Sequence, residues 1–553
     1  MRPRLILRRI LPQHSQNLPL FRSFANNTSY RSRPVGRPQL PFLSIPKVTR
    51  QQRVRYLTTE KKAWLKHEVK QGLTYGVLFT AAGIGFLITS WALKQEDLER
   101  DYPTPHEWGY LTRVYYRNAR LRRDRTEGLT DWVAIMALAE DVVNRLEDPN
   151  IDGKGVRDAS HECPPGTKDV SAMPEPWRRG YFESMMLYAT AAQMLNGWMR
   201  DKTRDIMFPP EVVIGPSNPQ PWPIRPGQAS APREEDCELV YPSADDIYVR
   251  ILETPGFTTR QKMEAALAHA SWLEHKDLHG PASIMYERAV ELSLSNTPTP
   301  APLDTTTHAL KETSPPPSEN LLTSLTALAT FQARSGNISS ALPILVSILK
   351  ARKSLPNPDT SLQLSKSPNP SLTRTILNRI QPPAYPPPPP DGTSPPIRDS
   401  KELCLEAALH LHIGEILYAS RQEGREEGLA WTRDAVDLAE EQLRSLGSDA
   451  DDTLREAKKV CRDCLSAGME NWGRMVARLA REERAKQDKA AAPEKSGSGW
   501  FGLWGQGEVK AEDVDRWAAE ERVIDERQRR AAELLEDLEP ERKLFDLGAI
   551  FKV

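Results

Sequence analysis

The stretch that decides the fold reads Met263-Glu-Ala-Ala-Leu-Ala-His-Ala270-Ser-Trp-Leu-Glu-His-Lys-Asp-Leu-His-Gly280-Pro-Ala282-Ser-Ile-Met-Tyr286-Glu-Arg-Ala289-Val-Glu-Leu292. Apolar residues recur at helical spacing from Met263 to about His275 and again from Pro281 onward. Leu278-His-Gly280 separates the two runs and Pro281 suits the first turn of a helix. Small Ala270 stands twelve residues before small Ala282. Tyr286 follows four residues later and Ala289 three after that.

The same spacing returns downstream. In residues 320–350, Ala329 precedes Ala341 by twelve, a turn falls at Ser335-Gly-Asn337, and Leu345 and Ile348 take the later positions. Residues 402–443 read as a third helical pair, with Gly414 in the first helix and Gly428, Thr432 and Ala435 in the second. Patterns at 132–146, 177–198 and 453–480 suggest further divergent or capping copies. These blocks resemble the tetratricopeptide repeat (TPR). The resemblance implies that the small residues mark where two helices of a hairpin touch, that Tyr286 is a wedge, and that Ala289 faces the next repeat. Strand signals are weak throughout. The expected fold is all-α: a divergent TPR-like superhelix of helical hairpins with one N-terminal transmembrane helix, the repeat domain covering 94–480. Proline-rich loops interrupt it at 209–232, 295–318 and 354–397. The five prolines 386–390 cannot join a core; they read as a solvated polyproline II loop, or alternatively as a docking ligand for a proline-reading partner. A flexible aromatic segment and a charged helix occupy 481–553.

Upstream, residues 71–93 carry no charge. At about 1.5 Å per residue such a helix covers the roughly 30 Å hydrocarbon core, so 72–93 is read as a membrane span. Tyr75 and Trp91 sit near its ends, where amphipathic aromatics favour the interface. Gly72, Gly76, Ala81 and Gly85 form small-residue pairs at i,i+4, which permit close contact with another membrane helix. Lys61, Lys62, Lys66 and Lys70 precede the span, and mostly acids follow it. Positive charge stays inside, which places the basic segment 57–71 in the matrix and the bulk of the chain beyond. Pro103 and Pro105 then end the helix, with Thr104 as a cap for the next one.

The first 59 residues hold eleven Arg, one Lys and no acid. That pattern is the mark of a mitochondrial presequence, 1–56, with a processing site near Arg53-Val-Arg55-Tyr56. The chain has 74 basic and 75 acidic residues; without those twelve basic ones the balance is 62 to 75, a net charge of −13. Such a balance argues against nucleic acid as a partner.

The sequence has no catalytic motif, no metal-ligand spacing and no cofactor loop. His161-Glu162-Cys163 lacks further ligands. Cys461 and Cys464 lie one turn apart on a helix and read as ordinary helix cysteines, a disulfide between them being the alternative in an oxidising compartment. The resemblance places a groove on the first helices of the hairpins. On the best copy this groove shows Glu264, Leu267, Ser271 and Glu274, an apolar and acidic face suited to basic or hydrophobic unfolded segments rather than to a C-terminal carboxylate. The aromatic stretch from Trp500 to Trp504 is a candidate ligand for that groove, the membrane or a partner. The layout as a whole resembles a group of fungal mitochondrial inner-membrane TPR-like proteins that includes the adaptor of the i-AAA protease complex. It implies a non-enzymatic adaptor in the inner membrane, facing the intermembrane space, with lipid, an i-AAA protease and unfolded clients as partners. A scaffold or assembly factor for a respiratory or translocase complex is the alternative.

Overall fold

A computed structural model of the chain describes residues 58–125, 129–160, 163–224, 227, 229–295, 302–304, 307–311, 315–357, 384–420, 424–447, 452–491 and 511–536. The stretch read as a presequence, its expected processing site and the Trp500 to Trp504 segment lie outside them. Among the described residues the chain is mostly helical, and two compact units divide it at Leu87 and Ile88.

Helix α1 (Thr59–Asp101) is long and apolar enough to cross a membrane. In the first unit its large apolar side chains, from Leu73 to Leu87, are all exposed. A Cβ built on Gly72, Gly76 or Gly85 would meet nothing within 4 Å, and Ala81 is exposed. The helix runs on past the expected end at residue 93, and only Pro103 stops it.

In the second unit, α2 (Tyr110–Arg123), α3 (Trp132–Glu147), α4 (Glu175–Met194) and α5 (Ala244–Glu253) surround one core. Trp108 closes one corner of that core. Gly180 makes room for it, because a Cβ there would lie 2.5 Å from the indole. Thr104, expected as a helix cap, has another role. Its N–H and hydroxyl donate to Glu99 Oε1 at 3.0 and 2.7 Å, while Gly109 precedes α2. Glu99 also pairs with Arg113 at 2.9 Å and with buried Arg117, which donates to Gln95. The chain is thereby folded back sharply after Asp101.

Three hairpins follow: α6 (Thr259–His275) with α7 (His279–Leu294), α8 (Glu319–Arg334) with α9 (Ile338–Lys353), and α10 (Ser400–Ser420) with α11 (Arg425–Leu446). A capping box of Thr258 and Gln261 starts α6, and the Ser318 hydroxyl caps α8. Each helix packs on its neighbours in the chain. That explains the breadth of the apolar stripe on α8, where Leu321, Leu322, Leu325 and Leu328 are all fully buried, each contributing about 1.5–3 kcal/mol. Two long helices, α12 (Asp452–Ala491) and α13 (Ala511–Glu536), complete the unit. Trp517, Ile524 and Ala531 of α13 are buried in the same core as Trp472 of α12, and the Trp472 indole donates to Glu520 at 2.9 Å. The C-terminal helix therefore packs on the stack.

The sequence reading differs from the structure in three further places. Among the described residues five short strands form two small antiparallel sheets, β1 (Arg157–Asp158) with β2 (Lys168–Asp169), and β3 (Met199–Asp201) between β4 (Ile206–Phe208) and β5 (Cys237–Leu239). Strands of two or three residues are too short to show alternation, so an all-α reading missed them. Helix α4 ends at Met194, so Leu195 and Trp198 lie beyond the helix that their spacing predicts. Cys461 is bonded to Cys404, and not to Cys464, joining α12 to α10.

Candidate functional site

Of the hairpin residues singled out by spacing, Ala270, Ala282, Tyr286 and Ala329 share one core, while Ala289, expected to face the next repeat, clusters with Met263 and Ala266 of α6. Ala270, Ala282, Ala289, Ala329 and Ala341 are each fully buried, and Tyr286 is 4% exposed. Alanine removes the side-chain bulk that would hold two helices apart, so α6 and α7 meet along Ala270 and Ala282, which share a core with Tyr286 and Ala329. Tyr286 reaches across to α8, stacking on Phe331 at 4.8 Å. Its hydroxyl donates to Glu274 at 3.0 Å. Burial and the Glu274 carboxylate push its pKa up to about 12. In the third hairpin, Gly414 and Gly428 face one another. A Cβ on Gly428 would lie 2.6 Å from the Gly414 carbonyl oxygen and 2.6 Å from the Tyr418 nitrogen. No larger side chain fits this crossing.

The groove candidates lie on one helix, α6, with distinct surroundings. Glu264 and Ser271 are exposed and Leu267 is half-buried. Glu264 pairs with Arg260 at 3.1 Å. Glu274 accepts two hydrogen bonds from Arg334 of α8, at 2.7 and 2.8 Å. That guanidinium, with the Tyr286 hydroxyl, holds the Glu274 carboxyl below its ordinary pKa. The acids expected to give this face a negative charge are thus largely neutralised by arginines of the same chain. Spacing alone had no means of showing Arg334 opposite Glu274, because the pair is sixty residues apart.

A cavity of about 660 Å³ lies against the second helix of the next hairpin. Its walls include Leu310, Pro316, Leu342, Pro343 and Val346. Sequence reasoning missed it, since residues around 310 read only as proline-rich loop. His410 of α10 is buried beside Trp431, with ring centroids 4.9 Å apart, and neither of its ring nitrogens is hydrogen-bonded. Burial holds its pKa below the ordinary value, and nearby Lys353 lowers it further.

The proline run departs most from expectation. The rings of Pro386–Pro390 are all exposed, as a solvated run requires, but their carbonyl oxygens are bonded to the unit, so residues 384–399 lie against it as an extended strap. Arg179 of α4 donates to the carbonyl oxygens of Pro386 and Pro387 at 2.6 and 2.9 Å, and Arg260 of α6 donates to Pro390 at 2.9 Å. Asn320 of α8 donates its side-chain N–H to Asp391 and its backbone N–H to Gly392.

Among the described residues, no group of three or more His, Cys, Asp or Glu side chains is placed to hold a metal ion. Cys464 is buried and its thiol pushed up to about 12, so it is a poor nucleophile at neutral pH. The chain matches no protein-family model, no curated protein and no solved structure, so the resemblance to TPR proteins rests on the spacing of its small residues alone.

Proposed function

We propose that this chain is a non-enzymatic adaptor of the mitochondrial inner membrane that presents unfolded or misassembled proteins to an i-AAA protease. The observation that carries the reading is the combination in one chain of an exposed apolar helix and a unit of stacked helical hairpins. Stacks of this kind offer long faces for extended peptides, and a TPR-like superhelix is the arrangement we infer for these hairpins. Leu267 and Ser271 on α6 would then line the client-binding face.

Two features support a hairpin unit in the intermembrane space. Lys61, Lys62, Lys66 and Lys70 flank the apolar stretch on its N-terminal side, favouring a matrix location for that end. The Cys404–Cys461 disulfide suits an oxidising compartment better than a reducing one. Protease protection in intact mitochondria and in mitoplasts tests this directly. The hairpin unit is expected to be digested only after the outer membrane is opened. Protection in mitoplasts would overturn the orientation and with it the adaptor role.

A second reading is a scaffold or assembly factor for a respiratory or translocase complex. The pairing of Glu264 with Arg260 and of Glu274 with Arg334 favours it, since a face neutralised in cis suits a defined partner better than varied basic clients. Affinity purification after crosslinking through Ser271→Cys separates the two. Recovery of an AAA protease with many clients is expected of the adaptor, and a single set of respiratory subunits of the scaffold.

A further inference from the structure

The strap and its supports share a simple chemistry. Proline has no backbone N–H, so a polyproline segment is a hydrogen-bond acceptor only. The groups that meet residues 386–394 are all donors, and all of them find main-chain carbonyls. Arg179 takes Pro386 and Pro387, and Arg260 takes Pro390. Asn320 takes Asp391 and Gly392, and the Glu319 N–H takes the Ser394 oxygen at 3.2 Å. The donors come from α4, α6 and α8 in turn, and so form a rail along which the extended chain is read.

One end of the rail also selects a side chain. The Arg179 guanidinium lies 4.2 Å from the Tyr385 ring centroid, and its Nε donates to the Tyr385 hydroxyl at 3.1 Å. Arg179 is 8% exposed; its charge is shared between Glu175 of the same helix, at 3.7 Å, and the strap. Beside Tyr385 remains a cleft of about 220 Å³, walled by Tyr102, Pro103, Tyr116, Arg120 and Glu183. Tyr116 is fixed there by its 2.6 Å hydrogen bond to Glu183. Pro386 and Pro389 line this cleft beside Tyr102 and Tyr116, and aromatic-lined grooves of this kind are what polyproline II segments dock into.

We propose that this rail is a binding site for proline-rich peptides carrying an aromatic residue directly before two prolines, and that residues 385–390 occupy it in cis as an autoinhibitory self-ligand. A proline-rich segment of another protein takes the same place when the strap is released. The proposal requires neither the compartment nor the client role proposed above. A tethered strap keeps an effective concentration on the order of 1 mM, so one with an intrinsic Kd of about 0.1 mM excludes free peptide by roughly tenfold.

The test uses the full-length protein in detergent and a fluorescent peptide of residues 384–392. Binding is measured by anisotropy to the wild type and to a triple variant, Tyr385→Gly with Pro386→Gly and Pro387→Gly. Roughly tenfold tighter binding to the variant is expected. Adding Arg179→Lys, which keeps the charge but loses the two-pronged fork, is expected to abolish that gain. If the triple variant does not fold, the single variant Tyr385→Ala decides the matter: it removes the ring and hydroxyl that meet Arg179 and leaves the prolines in place, so peptide binding must rise. Unchanged binding to Tyr385→Ala, indifference to Arg179→Lys, or equal binding of a peptide with alanine for proline would each overturn the proposal. So would a wild-type dimer held by exchanged straps, which would make a second copy the natural occupant.

Discussion

Gly428→Ala is the sharpest test of the packing described above. In an ordinary helix, alanine for glycine stabilises by about 1 kcal/mol. At Gly428 the added methyl would sit 2.6 Å from the Gly414 oxygen and 2.6 Å from the Tyr418 nitrogen, against the 3.4 Å at which ordinary contact begins. Both obstacles are backbone, so neither swings aside, and α10 and α11 must separate by most of the difference. Leu429, Val436 and Ala439, all buried in α11, then lose contact. Overpacking of this kind costs up to about 3 kcal/mol, and subtracting the helical gain of about 1 leaves a net loss of about 2 kcal/mol. Gly280→Ala is the control. It lies in α7 with nothing within 4 Å of the new methyl, and is expected to gain a few tenths to about 1 kcal/mol. Urea unfolding of the detergent-solubilised protein, followed by circular dichroism at 222 nm, reads both. A Gly428→Ala variant as stable as the wild type would refute the crossing of α10 and α11 at these glycines.

Three further outcomes are expected. Glu99→Ala strands Arg117, 3% exposed, and should destabilise the unit by about 3–5 kcal/mol, whereas Glu99→Met with Arg117→Met should restore only the part due to Arg117, because Arg113 and buried Thr104 still lose their acceptor; urea midpoints of the single and double variants compare them. Removing the Cys404–Cys461 bond with Cys404→Ser opens a 57-residue loop, worth about 4 kcal/mol on the chain-entropy estimate, and reductant should lower the melting temperature of the wild type but not of the variant. His410 has a folded-state pKa depressed below the unfolded value of 6.5, so its contribution is fully present above about pH 6.5 and is lost as pH falls through the folded value, where the unfolded chain binds a proton that the folded chain refuses. Melting between pH 7.5 and 5.5 should therefore depend less steeply on pH in His410→Gln.

What the sequence made legible was local or strictly periodic. The uncharged run 71–93 shows itself by composition. The alanines of 263–292 do so by spacing, because contact between neighbouring helices restricts residue size at fixed intervals. Gly414 and Gly428 follow the same logic. The remainder depended on partners far apart in the chain. Cys461 has a neighbour in Cys464 that distracts from Cys404, 57 residues earlier. The destination of the proline run was set by Arg179, more than two hundred residues before it, and no periodicity in the run points there. Glu264 and Glu274 looked like an acidic face because Arg260 and Arg334 have to be placed in space before they neutralise it.

The strap also bears on cooperativity. A stack in which each helix packs on its sequence neighbours behaves as a one-dimensional array, whose ends can fray independently. Residues 384–399 break that independence. They lead directly into α10 while bonded to α4, α6 and α8, so the third hairpin is tied to three helices that precede it. This adds contacts of up to 208 residues' separation to a fold whose Glu274–Arg334 and Cys404–Cys461 links span 60 and 57, and such contacts slow folding. In a chain that emerges from its N-terminus, the hairpins before the strap are made first and wait for it. The strap is then the step by which a row of separable hairpins becomes a single folding unit.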